Sequence, residues 1–379
     1  MKTICQFSLV VFVIAILDTS TSFVHLCTDW TKMNMSLKGE LFVYSPKKRL
    51  VAFRSDVSRQ TTPVASSSSS GLHRKHAVFI PGLTNGLLAP DYVPALAAAL
   101  NGLGYSFVQP ILSSSYKGYG TSSLRQDVDE LDELLDHLVS EARPPQPPSD
   151  VDGAKIQPRD DIVLIGHSTG CQDSVFYMKH GRPDLRRRVK GVVLQAPVSD
   201  REGLAILPET EAMIEVAKAR LGGDELMPAN AMDAPVTPAR FLSLTTKDGD
   251  DDMFSSDLSV EELQSRLGHM AFVPTAAFLS EADEYVPPGG VRSPPERFAD
   301  WFRRALSDPG PAKEIERAAA AATAPPNGEE VGPTKKTVAR EPLVRVIEGG
   351  NHALSGESHK LFVKGVEGFV SGLMDTVEG

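Results

Sequence analysis

Short apolar runs alternate with longer amphipathic stretches through most of this chain, and this alternation is its main structural signal. Residues 76–80, 105–112, 162–165, 191–195, 275–279 and 343–347 are rich in Val, Ile, Leu, Phe and Ala, and each predicts a short buried strand. Residues 92–100 predict an Ala-rich helix stopped by Asn101-Gly102. Residues 123–141 carry Leu124, Val128, Leu131, Leu135 and Leu138 on one stripe, with acidic residues expected opposite. Residues 360–377 predict a closing helix. Near the start, 40–44 and 50–54 flank Ser45-Pro46-Lys47-Lys48 and read as an antiparallel hairpin. Apolar strands separated by helices argue for an α/β fold with a mostly parallel central sheet covered on both faces.

Several segments break the alternation. Residues 200–270 lie between two strands, are too long for one crossover helix, and read as a mostly helical cap over the strand ends. Residues 61–74 hold five consecutive serines, 143–159 are Pro-rich and polar, and 307–337 are rich in Ala, Pro and charge. These three read as flexible inserts in a single domain spanning 35–379. Residues 1–34 stand apart. Lys2 precedes a largely apolar run at 4–17 and then small polar residues, which resembles a signal peptide cleaved near 20–22. The competing reading is an extension on a cytoplasmic protein, with Met33 or Met35 as an alternative start. The run is too short for a comfortable transmembrane helix, and no other segment predicts a stable span.

Composition narrows the function. Of 379 residues, 41% are hydrophobic and 23% charged, ordinary values for a globular protein. A net charge of −10, with no basic stretch interleaved with aromatics, argues against nucleic acid as a partner. Arg186-Arg187-Arg188 is better read as facing helix C-terminal carbonyls. Cys5, Cys27 and Cys171 make neither a disulfide framework nor a C-x-x-C zinc motif. Asp248-Gly249-Asp250-Asp251-Asp252 lacks EF-hand spacing and reads as a solvated loop beside a capping box at Ser259-Val260-Glu261-Glu262. Neither a cofactor nor a metal is expected.

The chemistry is carried by Gly166-His167-Ser168-Thr169-Gly170, placed between an apolar strand and an apparent helix. G-x-S-x-G alone is a weak signal; in a strand–turn–helix it is a nucleophile elbow, which exposes the Ser hydroxyl above a helix N-terminus. A serine nucleophile needs a base, and the base needs an acid to hold its tautomer. Glu348-Gly349-Gly350-Asn351-His352 follows the last strand and supplies His352 as the base, whereas His359 opens the closing helix and His167 points under the elbow. Asp283, in Asp283-Glu284-Tyr285-Val286-Pro287 after the 275–279 strand, is the expected acid; Glu281, Glu284 and Asp200 are its rivals. The expected oxyanion hole pairs the Thr169 N–H with that of Leu83, Thr84 being the alternative to Leu83. Cys171 is expected to pack under the elbow, and Ser113–Gly120 to bring hydroxyls and aromatic faces to the substrate site.

The stretches GELFVYSPKKRLVAF, FIPGLTNGL, SSSYKGYGTSSL, GHSTGCQDSVFYM, APVSDRE, DGDDDMFSSDLS and DEYVP resemble a fungal and plant family of α/β-hydrolases that includes a siderophore esterase acting on fusarinine-type iron chelators. The similarity runs from about residue 39 to the C-terminus, apart from the three inserts. It implies the α/β-hydrolase fold, with Ser168, Asp283 and His352 as nucleophile, acid and base, and members are generally intracellular. The expectation is therefore a metal-independent serine hydrolase acting on a small-molecule carboxylic ester, conceived most sharply as a siderophore-type ester. Thioesterase or amidase activity, or a non-catalytic binding protein on a hydrolase scaffold, are the rival readings.

Overall fold

The computed structural model describes residues 36–55, 74–141, 160–247, 249–286, 295–307, 309–310 and 341–375. The segment 1–34 and nearly all of the three expected inserts lie outside the described residues. Eight strands form one sheet: β1 (Gly39–Ser45), β2 (Leu50–Ser55), β3 (Arg74–Ile80), β4 (Ser106–Pro110), β5 (Asp160–His167), β6 (Val189–Gln195), β7 (Thr275–Ser280) and β8 (Leu343–Ile347). Their order is β1-β2-β4-β3-β5-β6-β7-β8. β1 pairs antiparallel with β2, and β2 antiparallel with β4. Every pairing from β4 to β8 is parallel.

The apolar runs are nearly continuous because both faces of the sheet are buried. Ala77 and Phe79 of β3, like Val163 and Ile165 of β5, face a core shared with α1 (Val93–Gly102) and the closing helix α10 (Ser358–Asp375). Their neighbours Val78, Ile80, Ile162 and Leu164 face the opposite core. That second core is built by α2 (Leu124–Ser140), α3 (Gly170–His180) and α9 (Pro295–Ser307). The alternation is the period of two that a strand imposes on its side chains.

Helix α2 starts at Ser123, whose hydroxyl accepts a hydrogen bond from the Gln126 amide at 3.2 Å. Leu124, Val128, Leu131, Leu134, Leu135 and Leu138 are all buried. The acidic residues do not all lie opposite this stripe, because Asp127 and Glu130 are buried as well. Glu130 accepts from the Ser113 amide and hydroxyl, both at 2.7 Å, and so ties α2 to the loop after β4.

Among the described residues, five helices flank β6 and its crossover along the chain. α4 (Pro183–Arg186) precedes the strand, and Arg186 donates to the Met178 carbonyl near the end of α3 at 2.7 Å. After the strand come α5 (Asp200–Leu204), α6 (Thr210–Arg220), α7 (Pro238–Thr245) and α8 (Val260–Leu267), then a 3-10 turn at Gly268–Phe272. Ala217, Met227, Val236 and Phe241, from α6, α7 and the connection between them, form a small core of their own. Met253, Phe254, Leu263 and Met270 instead join the large core of α2, α3 and α9. The capping box on α8 is present, with Ser259 and Glu262 exchanging bonds. The aspartate run is not a solvated loop: Asp251 and Asp252 are buried against Arg240 and Arg201, while Asp250 is exposed. A buried carboxylate needs a cation close by, and both arginines reach in from the neighbouring helices.

Replacing Leu131 by Ala should lower the unfolding free energy by roughly 2–5 kcal/mol in a denaturant titration, the usual cost of emptying a fully buried Leu site. A second expectation concerns acid. His269 is buried, donates from Nε2 to the Val175 carbonyl at 2.8 Å, and burial lowers its pKa to about 3. The unfolded chain binds a proton at this residue below about pH 6.5, while the folded chain does not, so this contribution is lost as pH falls. Between pH 7 and pH 5 the wild type should therefore lose more stability than His269→Gln, by up to about 2 kcal/mol, read from denaturation curves at both pH values.

Candidate active site

Strand β5 ends at His167 and α3 begins at Gly170, which leaves Ser168 and Thr169 to turn the chain. Ser168 adopts φ of 55°, a left-handed conformation that costs a non-glycine residue about 1–3 kcal/mol. The turn is held by Ser168 N–H donating to the Gln195 carbonyl (3.0 Å) and Cys171 N–H donating to the Ser168 carbonyl (2.8 Å). The motif glycines have a steric reason. A Cβ on Gly166 would lie 2.3 Å from the Gly170 carbonyl oxygen, and one on Gly170 would lie 2.1 Å from that of Ile80. A Cβ on Gly82 would come within 2.6 Å of the Ser168 Cβ, so the loop after β3 rests directly on the serine.

The three side chains read from the sequence meet here. His352 Nε2 lies 2.8 Å from Ser168 Oγ, and its Nδ1 lies 2.9 and 3.0 Å from the two Asp283 oxygens. Asp283 and His352 are both buried. Hydrogen-bond balance puts the ring proton on Nδ1, donating to Asp283, and leaves Nε2 to accept from the Ser168 hydroxyl. The rival acids are engaged elsewhere. Glu284 accepts from the His352 amide at 2.9 Å, Glu281 accepts from the Gly349 amide at 2.7 Å, and Asp200 accepts from Gln172 Nε2 at 2.8 Å. With Ala282 N–H donating to the Gly350 carbonyl at 2.8 Å, these bonds lock the loop after β7 to the loop after β8.

Behind the imidazole lies a buried polar core that sequence reading did not find. Gln195, the last residue of β6, accepts from Tyr92 OH at 2.9 Å, pairs with His167 Nδ1, and donates to the His352 carbonyl at 3.1 Å. The signal available was a glutamine ending an otherwise apolar strand. Burial and, second, the proximity of His352 lower the His167 pKa to about 3, which keeps that ring neutral. The Tyr285 ring stands edge-on to His352 at 4.5 Å between centroids. His359 is half-buried at the start of α10, where its ring bonds the Gly356 carbonyl.

Thr169 stands at the N-terminus of α3, and Leu83 follows Pro81-Gly82 after β3. Both line one cleft beside the elbow, together with Ser114 and Ser115 of the loop after β4. Neither the Thr169 nor the Leu83 N–H donates to a backbone carbonyl among the described residues. Thr84 is in a tight turn with φ of 65°. Tyr119 closes the cleft from the 3-10 turn Tyr116–Gly120, and Arg240 of α7 donates to its carbonyl at 3.0 Å. Cys171 is buried under the elbow and donates to the carbonyls of Gly166 and Gln195 at 3.3 and 3.2 Å. Burial raises its thiol pKa well above the usual value. Among the described residues, no three His, Cys, Asp or Glu side chains converge as a metal site, and no helix is long and apolar enough to cross a membrane.

A family described as "Protein of unknown function (DUF1749)" matches residues 46–319. The chain belongs to this family. Among its relatives is "Esterase AN6793" of Emericella nidulans, 31% identical over 59% of this chain and 71% of the relative. Another is "Fusarinine C esterase sidJ" of Aspergillus fumigatus, 32% identical over 50% of this chain and 64% of the relative. Among solved structures, "Siderophore hydrolase EstB from Aspergillus fumigatus" superposes with a TM-score of 0.64 at 26% identity, covering 91% of this chain and 99% of its own. The fold is that of the α/β-hydrolases, as the family resemblance implied.

The surroundings of Cys171 predict an inert thiol. In the folded protein, iodoacetamide should leave Cys171 unmodified and should alkylate it after denaturation, as read by peptide mass spectrometry. Rapid native labelling of that peptide would show that the elbow opens.

Proposed function

We propose that this protein is a serine hydrolase of carboxylic esters, with Ser168 as nucleophile, His352 as general base and Asp283 as the acid that orients it. The observation that carries the reading is the continuous hydrogen-bonded line from Ser168 Oγ through the two ring nitrogens of His352 to Asp283. The esterase relatives and the α/β-hydrolase fold support an ester as the substrate.

In this mechanism Ser168 Oγ attacks the ester carbonyl carbon as its proton passes to His352 Nε2. Asp283 stabilises the resulting imidazolium through Nδ1–H. The carbonyl oxygen becomes an oxyanion and accepts from the N–H groups of Thr169 and Leu83, with the positive end of α3 behind it. Collapse expels the alcohol, which takes the proton from Nε2. Water then attacks the acyl-enzyme, giving its proton to Nε2. The second collapse releases the acid, and Ser168 recovers its proton.

Helices α6 and α7 share a small core of their own and α7 reaches the cleft through Arg240, which supports reading the 200–270 region as a cap. Relatives named for fusarinine C and for siderophores make a siderophore-type ester the first natural substrate class to assay.

A fluorophosphonate probe should label the wild type and leave Ser168→Ala unlabelled. On a simple ester such as ethyl butanoate, Ser168→Ala and His352→Ala should each lower kcat by at least about a thousandfold. Equal labelling or turnover in wild type and Ser168→Ala would overturn the assignment.

A further inference from the structure

The cleft beside Ser168 contains buried charge that the mechanism above does not use. Its cavity volume is about 20 Å³, room for a group the size of a water molecule or an ammonium. Pro81, Gly82, Leu83 and Thr169 form the wall next to the nucleophile. Asp127 of α2, Asp173 of α3 and Arg240 of α7 line it further in. All three are more than nine-tenths buried, with exposures of 2%, 7% and 5%.

The charges in this lining do not balance. Arg240 is already matched, because Nη1 donates to Asp251 Oδ2 at 2.5 Å and Nε donates to the Tyr119 carbonyl at 3.0 Å. Asp127 receives a hydrogen bond of 3.3 Å from the Ser122 hydroxyl. Asp173 Oδ1 is shielded from solvent with no hydrogen-bond partner among the described residues, and the Asp173 carboxyl lies within hydrogen-bonding reach of that of Asp127. Burial, the largest cause, raises the Asp127 pKa to about 7; burial and then the neighbouring Asp127 raise that of Asp173 well above the usual carboxylate range.

The chemistry of a fitting occupant follows from this inventory. An anion would meet Asp127, Asp173 and Asp251, with the guanidinium of Arg240 already paired. A divalent metal would lack a third ligand among the described residues. An ammonium group has three N–H donors and one positive charge, which suits an orphaned acceptor beside a second carboxyl.

We propose that Asp127 and Asp173 form a specificity subsite for a protonated amine carried by the ester substrate a few bonds from its scissile carbonyl. The subsite rests on the ester-hydrolase reading, since it shares its wall with Leu83 and Thr169, which face the carbonyl oxygen in that mechanism. The ammonium donates to the two carboxylates and fixes which ester bond lies over Ser168.

The test compares ethyl β-alaninate, which carries the ammonium at pH 7, with ethyl butanoate, its neutral counterpart of the same length. The quantity read is the ratio of kcat/KM for the two esters. It should be at least about tenfold higher in the full-length wild type than in Asp173→Asn or Asp127→Asn, and an internal ratio is insensitive to partial loss of folded protein. Calorimetry on Ser168→Ala supplies a second arm without touching the aspartates. There, ethyl β-alaninate should bind at least about tenfold more tightly than ethyl butanoate. Equal ratios in wild type and both Asn variants, or equal binding of the two esters, would overturn the subsite and leave the cleft as a water site. Absence of any Ser168-dependent turnover of either ester would instead sink the hydrolase reading, and the binding arm would still decide the subsite.

Discussion

The whole site depends on one backbone contact: the first turn of α3 packed against the end of β3 with no side chain between them. Gly170 sits where any Cβ would strike the Ile80 carbonyl, and Gly166 sits where one would strike the carbonyl of Gly170. That closeness forces the chain to reverse within two residues and places Ser168 at positive φ. The strain is tolerated because the sheet over-determines it. β5 lies between β3 and β6, and the Ser168 amide bonds the end of β6. The same contact sets Gly82 on the serine and Leu83 beside it, so the proposed nucleophile and the proposed second oxyanion donor are positioned by a single packing decision.

Among the described residues, the polar groups around this contact leave the imidazole of His352 facing the Ser168 hydroxyl. His167, less than the width of a helix from His352, is kept neutral by burial and occupied by Gln195. Glu281 and Glu284 carry negative charge near His352 but spend it on backbone amides of the loop after β8. Asp283 therefore has the ring Nδ1 to itself. The loop that carries His352 would otherwise be loose, with Gly349 at positive φ; it is held by those two glutamates and by Gln195 beneath the His352 carbonyl. On the other side of the elbow helix the electrostatics are different in kind: Asp127 and Asp173 are buried without a cation of their own, next to an arginine already matched by Asp251.

The strands were legible because both faces of a parallel sheet are buried, so that 162–165 and 191–195 read as unbroken apolar runs. The elbow was legible because steric necessity fixes small residues at 166 and 170 whatever the substrate. Asp283 and His352 could be placed by their position after β7 and β8, which the chain order supplies without coordinates. Buried charge was not legible in the same way. In the run 248–252, Asp250 and Asp251 look alike in sequence, yet one is exposed and the other is sealed against Arg240. In sequence Asp127 and Glu130 belong to the polar side of α2, but packing on that side removes them from water.

Sequence alone therefore determined what short-range sterics and strand periodicity control: the sheet, the helices that cover it, the strained turn at Ser168, and the order in which serine, aspartate and histidine arrive along the chain. Tertiary structure alone decided what the rival acids bond instead, which glutamates hold the His352 loop, and which aspartates are left buried beside the cleft. Those choices turn on differences of an ångström or two between groups of identical chemistry brought together from distant parts of the chain. A carboxylate's partner and its exposure to water are properties of that assembled neighbourhood, and no local pattern of residues encodes them.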